Sequence, residues 1–474
     1  AFYKMIIARD KEINRLSEIS TSDKSEFVAV YGRRRVGKTF LIREAFKNDF
    51  AFHHTGIAQQ PKAAQLYSFC TSLKESGLQI DSEPRNWIEA FELLKELIRK
   101  SRRKRKVIFI DELSWMYTAG CDLISAIESF WNGWASNRKD VVLIVCASAT
   151  SWMIKNIIHA RGGLHHRLTA EIFLQPFSLR ECEMFAEAFQ LPISREQIIE
   201  AYMILGGIPY YWSLMSKSLS LPQNIDQLFF HKEAPLRDEY KYLFASLFDS
   251  PEPYMRIVEI LATHKTGMTR DDIQLQYGAE LGGTLTQMLE DLESCGFIRS
   301  FLPFAKRKKG TLFQLIDCFT LFHFKYLNKK TSDTEFWSHT YSTAAAWRGL
   351  AFERVCLWHI PQIKQALGIS GIQTEVCSWQ CKTDSEKGIQ GAQIDLLIDR
   401  SDKVVNICEM KFCDTEYTIS KKDEENLKTK IASFRKTTST RKGILMTLVT
   451  PVGITLNSHA GIINSVVTID NLFA

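Results

Sequence analysis

The run Gly32-Arg33-Arg34-Arg35-Val36-Gly37-Lys38-Thr39 constrains this chain more than any other feature. It fits the pattern G-x-x-x-x-G-K-[ST] without a mismatch. An apolar segment, Glu26–Tyr31, precedes it, and a helical pattern with Phe40, Leu41, Ile42 and Phe46 follows. Glycines in such a turn let backbone N–H groups encircle phosphates, and the helix N-terminus adds partial positive charge. The motif predicts a strand–loop–helix unit that binds ATP through Gly32 to Thr39 and the adjoining Phe40. Lys38 is expected on the β- and γ-phosphates, and the Thr39 hydroxyl on Mg²⁺.

A second motif supports the first. Val107-Ile-Phe-Ile110 reads as a buried strand and runs into Asp111-Glu112. A carboxylate at the end of a buried strand is costly without a charged partner. Asp111 is expected to support Mg²⁺ through Thr39 or water, and Glu112 to polarise the attacking water. That base favours hydrolysis over transfer of the phosphoryl group to a substrate. A third apolar strand, Val141–Val145, leads to Ser148 and Thr150. Either can orient the lytic water, Ser148 being the first choice. Arg161 and Arg167 follow in a glycine-containing loop, and one of them is a candidate arginine finger, in cis or from a neighbouring subunit.

Strands separated by long helical stretches indicate a parallel sheet with crossover helices. At roughly 150 residues per domain, the 474 residues suggest about three domains. Residues 1–175 are expected to be an α/β P-loop core. Residues 176–240 are expected to be a helical lid, with capping-box spacing at Ser178–Glu181 and Ser194–Gln197. Residues 241–328 show three amphipathic segments and then a hairpin pattern, which predicts a winged helix. Glu290, Asp291 and Glu293 place acid on its third helix, which argues for a connector rather than a major-groove reader. Residues 329–474 are a separate block, entered through a polar linker at 329–340.

Hydrophobic residues are 45% of the chain and charged residues 24%, an ordinary globular balance. No run of about 18 uncharged apolar residues is present, and the N-terminal apolar run is too short for a signal peptide. A cytoplasmic protein without a membrane partner is expected. The 11 cysteines form no compact framework, which suggests reduced thiols. Cys377, Cys381, Cys408 and Cys413 have the wrong spacing for zinc. The net charge is a mild +6, but 99–106 and Lys306–Lys309 are dense cationic blocks. Together they favour DNA or another nucleic acid as a partner.

With Ala8-Arg9-Asp10-Lys11-Glu12 ahead of the core and Gly206-Gly207-Ile208-Pro209 in the helical part, these motifs make the chain resemble prokaryotic ATPases of the AAA+/STAND group that carry a C-terminal nuclease-like domain. The resemblance spans most of the chain. It implies that Pro209 packs by the nucleotide, and a homo-oligomer is compatible with it. Ala8 and Ala147 stand where glycine is common in that group; neither departure threatens ATP binding.

The last block carries a second constellation. Asp395 lies in Gln393-Ile-Asp-Leu, and Glu409-Met-Lys411 lies on the next apolar strand. Period-two geometry puts Glu409 and Lys411 on one face, and a hairpin would bring Asp395 alongside. Glu353, on the preceding helix, can add a third carboxylate. Such carboxylates can hold Mg²⁺ or Mn²⁺ and generate a nucleophilic water, with Lys411 stabilising the developing charge. The arrangement resembles the PD-(D/E)xK nuclease superfamily and implies a restriction-endonuclease-like α/β fold. Lys421, Lys422, Lys428 and Lys430 on the following helix are candidates for tracking a phosphate backbone. Two functions remain open: an ATPase coupled to a metal-dependent nuclease site, or a nucleotide-dependent switch with an inactive nuclease fold.

Overall fold

The computed structural model describes residues 6–118, 120–159, 163–164, 166–304, 310–328 and 333–474. Arg161 and the basic run Lys306–Lys309 lie outside the described residues. The chain forms two compact units. One comprises residues up to Pro176 with Lys241–Pro251, the other Phe177–Tyr240 with Glu252–Ala474. Among the described residues, no helix is long and apolar enough to cross a membrane.

The first unit is built on a parallel sheet of β1 (Glu26–Tyr31), β2 (Phe52–Thr55), β3 (Lys106–Asp111), β4 (Val141–Ala147) and β5 (Ala170–Phe173), in the order β2-β3-β4-β1-β5. Strands β3 and β4 are buried along their whole length, as expected for a parallel sheet covered on both faces. Helix Trp87–Lys100 shows how the cover is specified. The Asn86 side chain accepts from the Glu89 N–H at its start, and Trp87, Phe91, Leu94 and Ile98 point inward. Phe91 packs against Phe69 and Phe130 with ring centroids 5.7 and 5.5 Å away. Each such buried side chain contributes about 1.5–3 kcal/mol, which keeps the strand ends fixed.

The cationic block at 99–106 is largely answered inside this unit. Arg103 meets Asp49 at 2.8 Å and Lys106 meets Asp140 at 2.7 Å. Arg105 donates to the carbonyls of Lys139 and Ile19, and Arg99 lies over the Trp134 ring. The block is therefore a braced turn more than a phosphate-tracking face; Arg102 and Lys104 remain exposed.

In the second unit, helices Leu179–Ala188 and Arg195–Leu205 both open with formed capping boxes, at Ser178 and Ser194. Further along come helix Pro251–Ala262, β6 (Met268–Thr269), helices Arg270–Tyr277 and Gly283–Ser294, β7 (Ile298–Phe301) and β8 (Leu312–Leu315). The hairpin gains a third strand that the sequence pattern did not show, in the order β6-β8-β7. The acidic face expected on helix Gly283–Ser294 also needs correction. Asp291 is buried and accepts from Tyr254 Oη at 2.7 Å, and Glu293 accepts from the Ser300 N–H. Only Glu290 of the three is exposed.

The C-terminal sheet contains β9 (Thr374–Cys381), β10 (Ala392–Arg400) and β11 (Val404–Met410). After the short β12 (Tyr417–Thr418) come β13 (Gly443–Val449), β14 (Ile454–Thr455) and β15 (Ser465–Val467). The main sheet runs β15-β13-β11-β10-β9, while β12 pairs with β14 apart from it. Strands β9, β10 and β11 pair antiparallel, and β11, β13 and β15 parallel. The β10–β11 connection is short, with Lys403 in the left-handed region (φ 65°), as three-residue hairpin loops require. The parallel β11–β13 step is made by helix Lys421–Thr438.

Candidate functional site

The sheet order places the phosphate-loop strand β1 and the acidic strand β3 on either side of β4. Tyr31 pairs with Ala147 and Ile110 with Val145, so Gly32, Asp111 and Ser148 all emerge at one edge. Gly32 has φ 146°, and a Cβ there would lie 2.2 Å from the Leu174 carbonyl oxygen; only glycine lets the loop leave β1. Gly37 has φ 94° and precedes helix Lys38–Ala45. Arg35 also takes a left-handed conformation, φ 68°. Along this loop Arg33 and Val36 are buried, Arg34 and Arg35 are half-buried, and Phe40 is 40% exposed.

Five side chains close into one hydrogen-bonded cluster. Lys38 Nζ, buried, donates to Gly32 O at 2.9 Å, Arg33 O at 3.0 Å and Ser148 Oγ at 3.0 Å. Thr39 Oγ1 donates to Asp111 Oδ2 at 2.7 Å. Asp111 Oδ1 accepts from the Glu112 N–H at 3.0 Å. Glu112 accepts on both oxygens, from Ser148 N–H at 3.0 Å and from Ser148 Oγ at 2.6 Å. Glu112 has φ 48° and ψ 48°, a strained conformation for a non-glycine residue of the kind that clusters at active sites. Gly56 accommodates it: its N–H donates to Asp111 O at 3.0 Å, and a Cβ there would meet Glu112 O at 2.6 Å. The sequence offered only a glycine after a strand at that position, and its role was missed. Burial first, and Asp111 next, push the Cys146 thiol well above its usual value, so it is inert.

Two other expected residues lie outside this cluster. Thr150 is buried and its hydroxyl finds no partner. Arg167 is exposed and makes none of the bonds that join the five. At the chain start, Ala8 has φ 58° and Arg9 φ 70°. The left-handed backbone explains why glycine suits the first of these positions. In the second unit, Pro209 begins helix Pro209–Ser213. The glycines before it are structural there. A Cβ on Gly207 would lie 2.0 Å from Phe177 O, and Gly206 O accepts from Trp212 Nε1.

The C-terminal constellation is assembled differently. Glu409 and Lys411 share a face as expected, with Nζ 3.1 Å from the carboxylate. Lys430, from helix Lys421–Thr438, meets the other oxygen of Glu409 at 2.6 Å. Burial opposes charge on Glu409, but Lys430 and Lys411 outweigh it and hold its carboxyl below the usual range. Lys430 is thus a buttress of the site, while Lys428 is 63% exposed and pairs with Glu424 one turn away. Asp395 lies at an irregularity in the β10–β9 pairing and accepts from Gln393 Nε2. Glu353 is pushed up to about 7, by burial first and by Asp395 next, with Glu409 adding to it. Glu353 therefore feels the other two carboxylates. Yet Glu409 and Lys411 line a cavity of about 240 Å³ with Tyr417 and Asp423, whereas Asp395 lines a separate, nearly filled pocket beside Phe301 and Gln314. Among the described residues, no group of three His, Cys, Asp or Glu side chains is placed to hold a metal ion.

Residues 6–214 match the family described as an ATPase domain predominantly from Archaea. An uncharacterized protein of Methanocaldococcus jannaschii is 26% identical over 337 residues, covering 70% of this chain and 71% of that protein. A Walker-type ATPase of Pyrococcus abyssi aligns with TM-score 0.47 at 16% identity, covering 69% of this chain and 100% of its own. The ORC2 protein of Aeropyrum pernix aligns with TM-score 0.42 at 14% identity, covering 71% and 96%. The chain thus carries an archaeal-type ATPase domain, a domain that binds and hydrolyses ATP.

Proposed function

We propose that ATP is hydrolysed at the Lys38–Thr39–Asp111–Glu112–Ser148 cluster, and that this activity serves a nuclease-like second unit acting on nucleic acid. The observation that carries the first part is the convergence of these five side chains at one sheet edge. The loop N–H groups of Gly32–Thr39 cradle the phosphates, and Lys38 reaches them by exchanging one of its three bonds, to Gly32 O, Arg33 O or Ser148 Oγ, for a phosphate oxygen. Thr39 Oγ1 and Asp111 Oδ2, 2.7 Å apart, are hard oxygens that fit Mg²⁺. When bound, that ion neutralises phosphate charge. Glu112 accepts a proton from the water whose oxygen attacks the γ-phosphorus; the leaving group is ADP. Arg167, exposed, is assigned as the arginine finger, in cis or supplied to a neighbouring copy.

What supports the nuclease-like reading is that burial, and then Asp395 and Glu409, raise the Glu353 carboxyl. A specific observation favours the second reading, a nucleotide switch without strand cleavage: Glu409 is met by two ammonium groups. Its donors fit Mg²⁺ or Mn²⁺ only if Lys430 moves away. The test is incubation of the purified protein with plasmid and single-stranded DNA, with Mg²⁺ or Mn²⁺, with and without ATP. Metal-dependent nicking supports the nuclease; phosphate release without nicking under any condition supports the switch.

A further inference from the structure

We propose that Ser148 is a positioning residue that works through Glu112, rather than a direct ligand of the lytic water or the γ-phosphate; this rests on Glu112 being the base. A serine hydroxyl has one proton to donate. Ser148 Oγ gives it to Glu112 Oε1 at 2.6 Å, and the Ser148 backbone N–H takes Oε2 at 3.0 Å. Both oxygens of the carboxylate are thereby tied to one residue at the end of β4. With its proton committed, the hydroxyl has none to give a phosphate oxygen or the oxygen of a water.

Two further features make the tie matter. Glu112 sits on left-handed backbone, so no regular element fixes its side chain; the β4 terminus does so instead. The same hydroxyl accepts from Lys38 Nζ at 3.0 Å. A hydroxyl that accepts from an ammonium is a stronger donor, because hydrogen bonds in a chain polarise one another. Lys38, the phosphate-loop cation, and Glu112, the proposed base, are thus joined through one oxygen atom. A base misplaced by about 1 Å can cost roughly a hundredfold in rate.

The experiment is a double-mutant cycle in the full chain, with single-turnover ATP hydrolysis and binding of a fluorescent ATP analogue measured together. Ser148→Ala is expected to slow hydrolysis by about 10- to 100-fold while KM and analogue binding change less than about threefold. Ser148→Cys, a weaker donor of similar size, should fall between parent and alanine; it replaces alanine in the cycle if Ser148→Ala does not bind the analogue. In a Glu112→Ala background the Ser148 substitution should cost less than about twofold more, because there is no carboxylate left to position. A full additive loss in that background would show that Ser148 acts directly on water or phosphate and would overturn the proposal alone. A Ser148→Ala rate within about twofold of the parent would also overturn it. A Glu112→Ala rate near the parent's would instead remove the assignment of Glu112 as base, on which the proposal rests.

Discussion

Asp111 and Glu409 are both carboxylates at the end of buried strands, and they differ in what meets them. The hydrogen bonds to Asp111 come from the Thr39 hydroxyl and the Glu112 N–H, both neutral. Glu409 is met by the ammonium groups of Lys411 and Lys430. A carboxylate held by neutral donors keeps its charge for an incoming cation, whereas one held by two ammonium groups has had that charge answered. The first site keeps the hard oxygens Thr39 Oγ1 and Asp111 Oδ2 beside the phosphate loop. The second must exchange a lysine before a divalent ion can take the same oxygens. The contrast separates a site whose parts are already joined from one whose parts lie in two pockets.

The largest effect that bears on this contrast is all-or-none. On the nuclease reading proposed above, Asp395→Ala and Glu409→Ala are each expected to reduce Mg²⁺-dependent cleavage of labelled DNA to background while leaving ATP hydrolysis largely intact; a parent that cleaves no DNA favours the switch reading. Cleavage that survives both substitutions would place the activity elsewhere. Loss of ATP hydrolysis alongside it would mean that the two sites are not separate.

Next in size, Glu112→Gln should bind ATP as the parent does and hydrolyse it about 10²–10⁴-fold more slowly, the usual contribution of a general base. A rate within about twofold of the parent would show that another group activates the water.

The smallest effect concerns pH. Glu353 is pushed up from 4.5 to about 7, so the folded protein binds its proton more tightly than the unfolded chain does. Stability should therefore fall as pH rises from about 4.5 through about 7, by at most about 3 kcal/mol. Glu353→Gln should remove that slope, raising the denaturation midpoint at pH 8 and changing it little at pH 4. Mg²⁺ should raise the parent's midpoint at pH 8 only if the carboxylates accept it. An identical slope in parent and variant would assign the pH dependence to other groups.

How much of this was legible in the sequence follows from the distance over which each signal acts. The loop from Gly32 to Thr39, the strand into Asp111-Glu112 and the formed capping boxes at Ser178 and Ser194 depend on residues a few positions apart, and spacing reveals them. Strand adjacency does not work that way. That β4 lies between β1 and β3 is set by packing over more than a hundred residues, so the bond from Ser148 to Glu112 could not be read beforehand. The period of two placed Glu409 and Lys411 on one face, but said nothing of Lys430, which arrives from a helix after the strand. Charge runs were misleading for the same reason. The partners of Arg103 and Lys106, namely Asp49 and Asp140, are distant in sequence, and Asp291 looks solvent-facing until Tyr254 is beside it.

The most direct test of the ATPase assignment is Mg²⁺-dependent phosphate release by the parent and by Lys38→Ala, with ATP binding followed in parallel. Lys38 joins the loop carbonyls of Gly32 and Arg33 to Ser148, and it is the one cationic side chain of the five in the cluster. The variant is expected to lose hydrolysis altogether and much of its affinity for ATP. Turnover in Lys38→Ala equal to that of the parent would contradict the account.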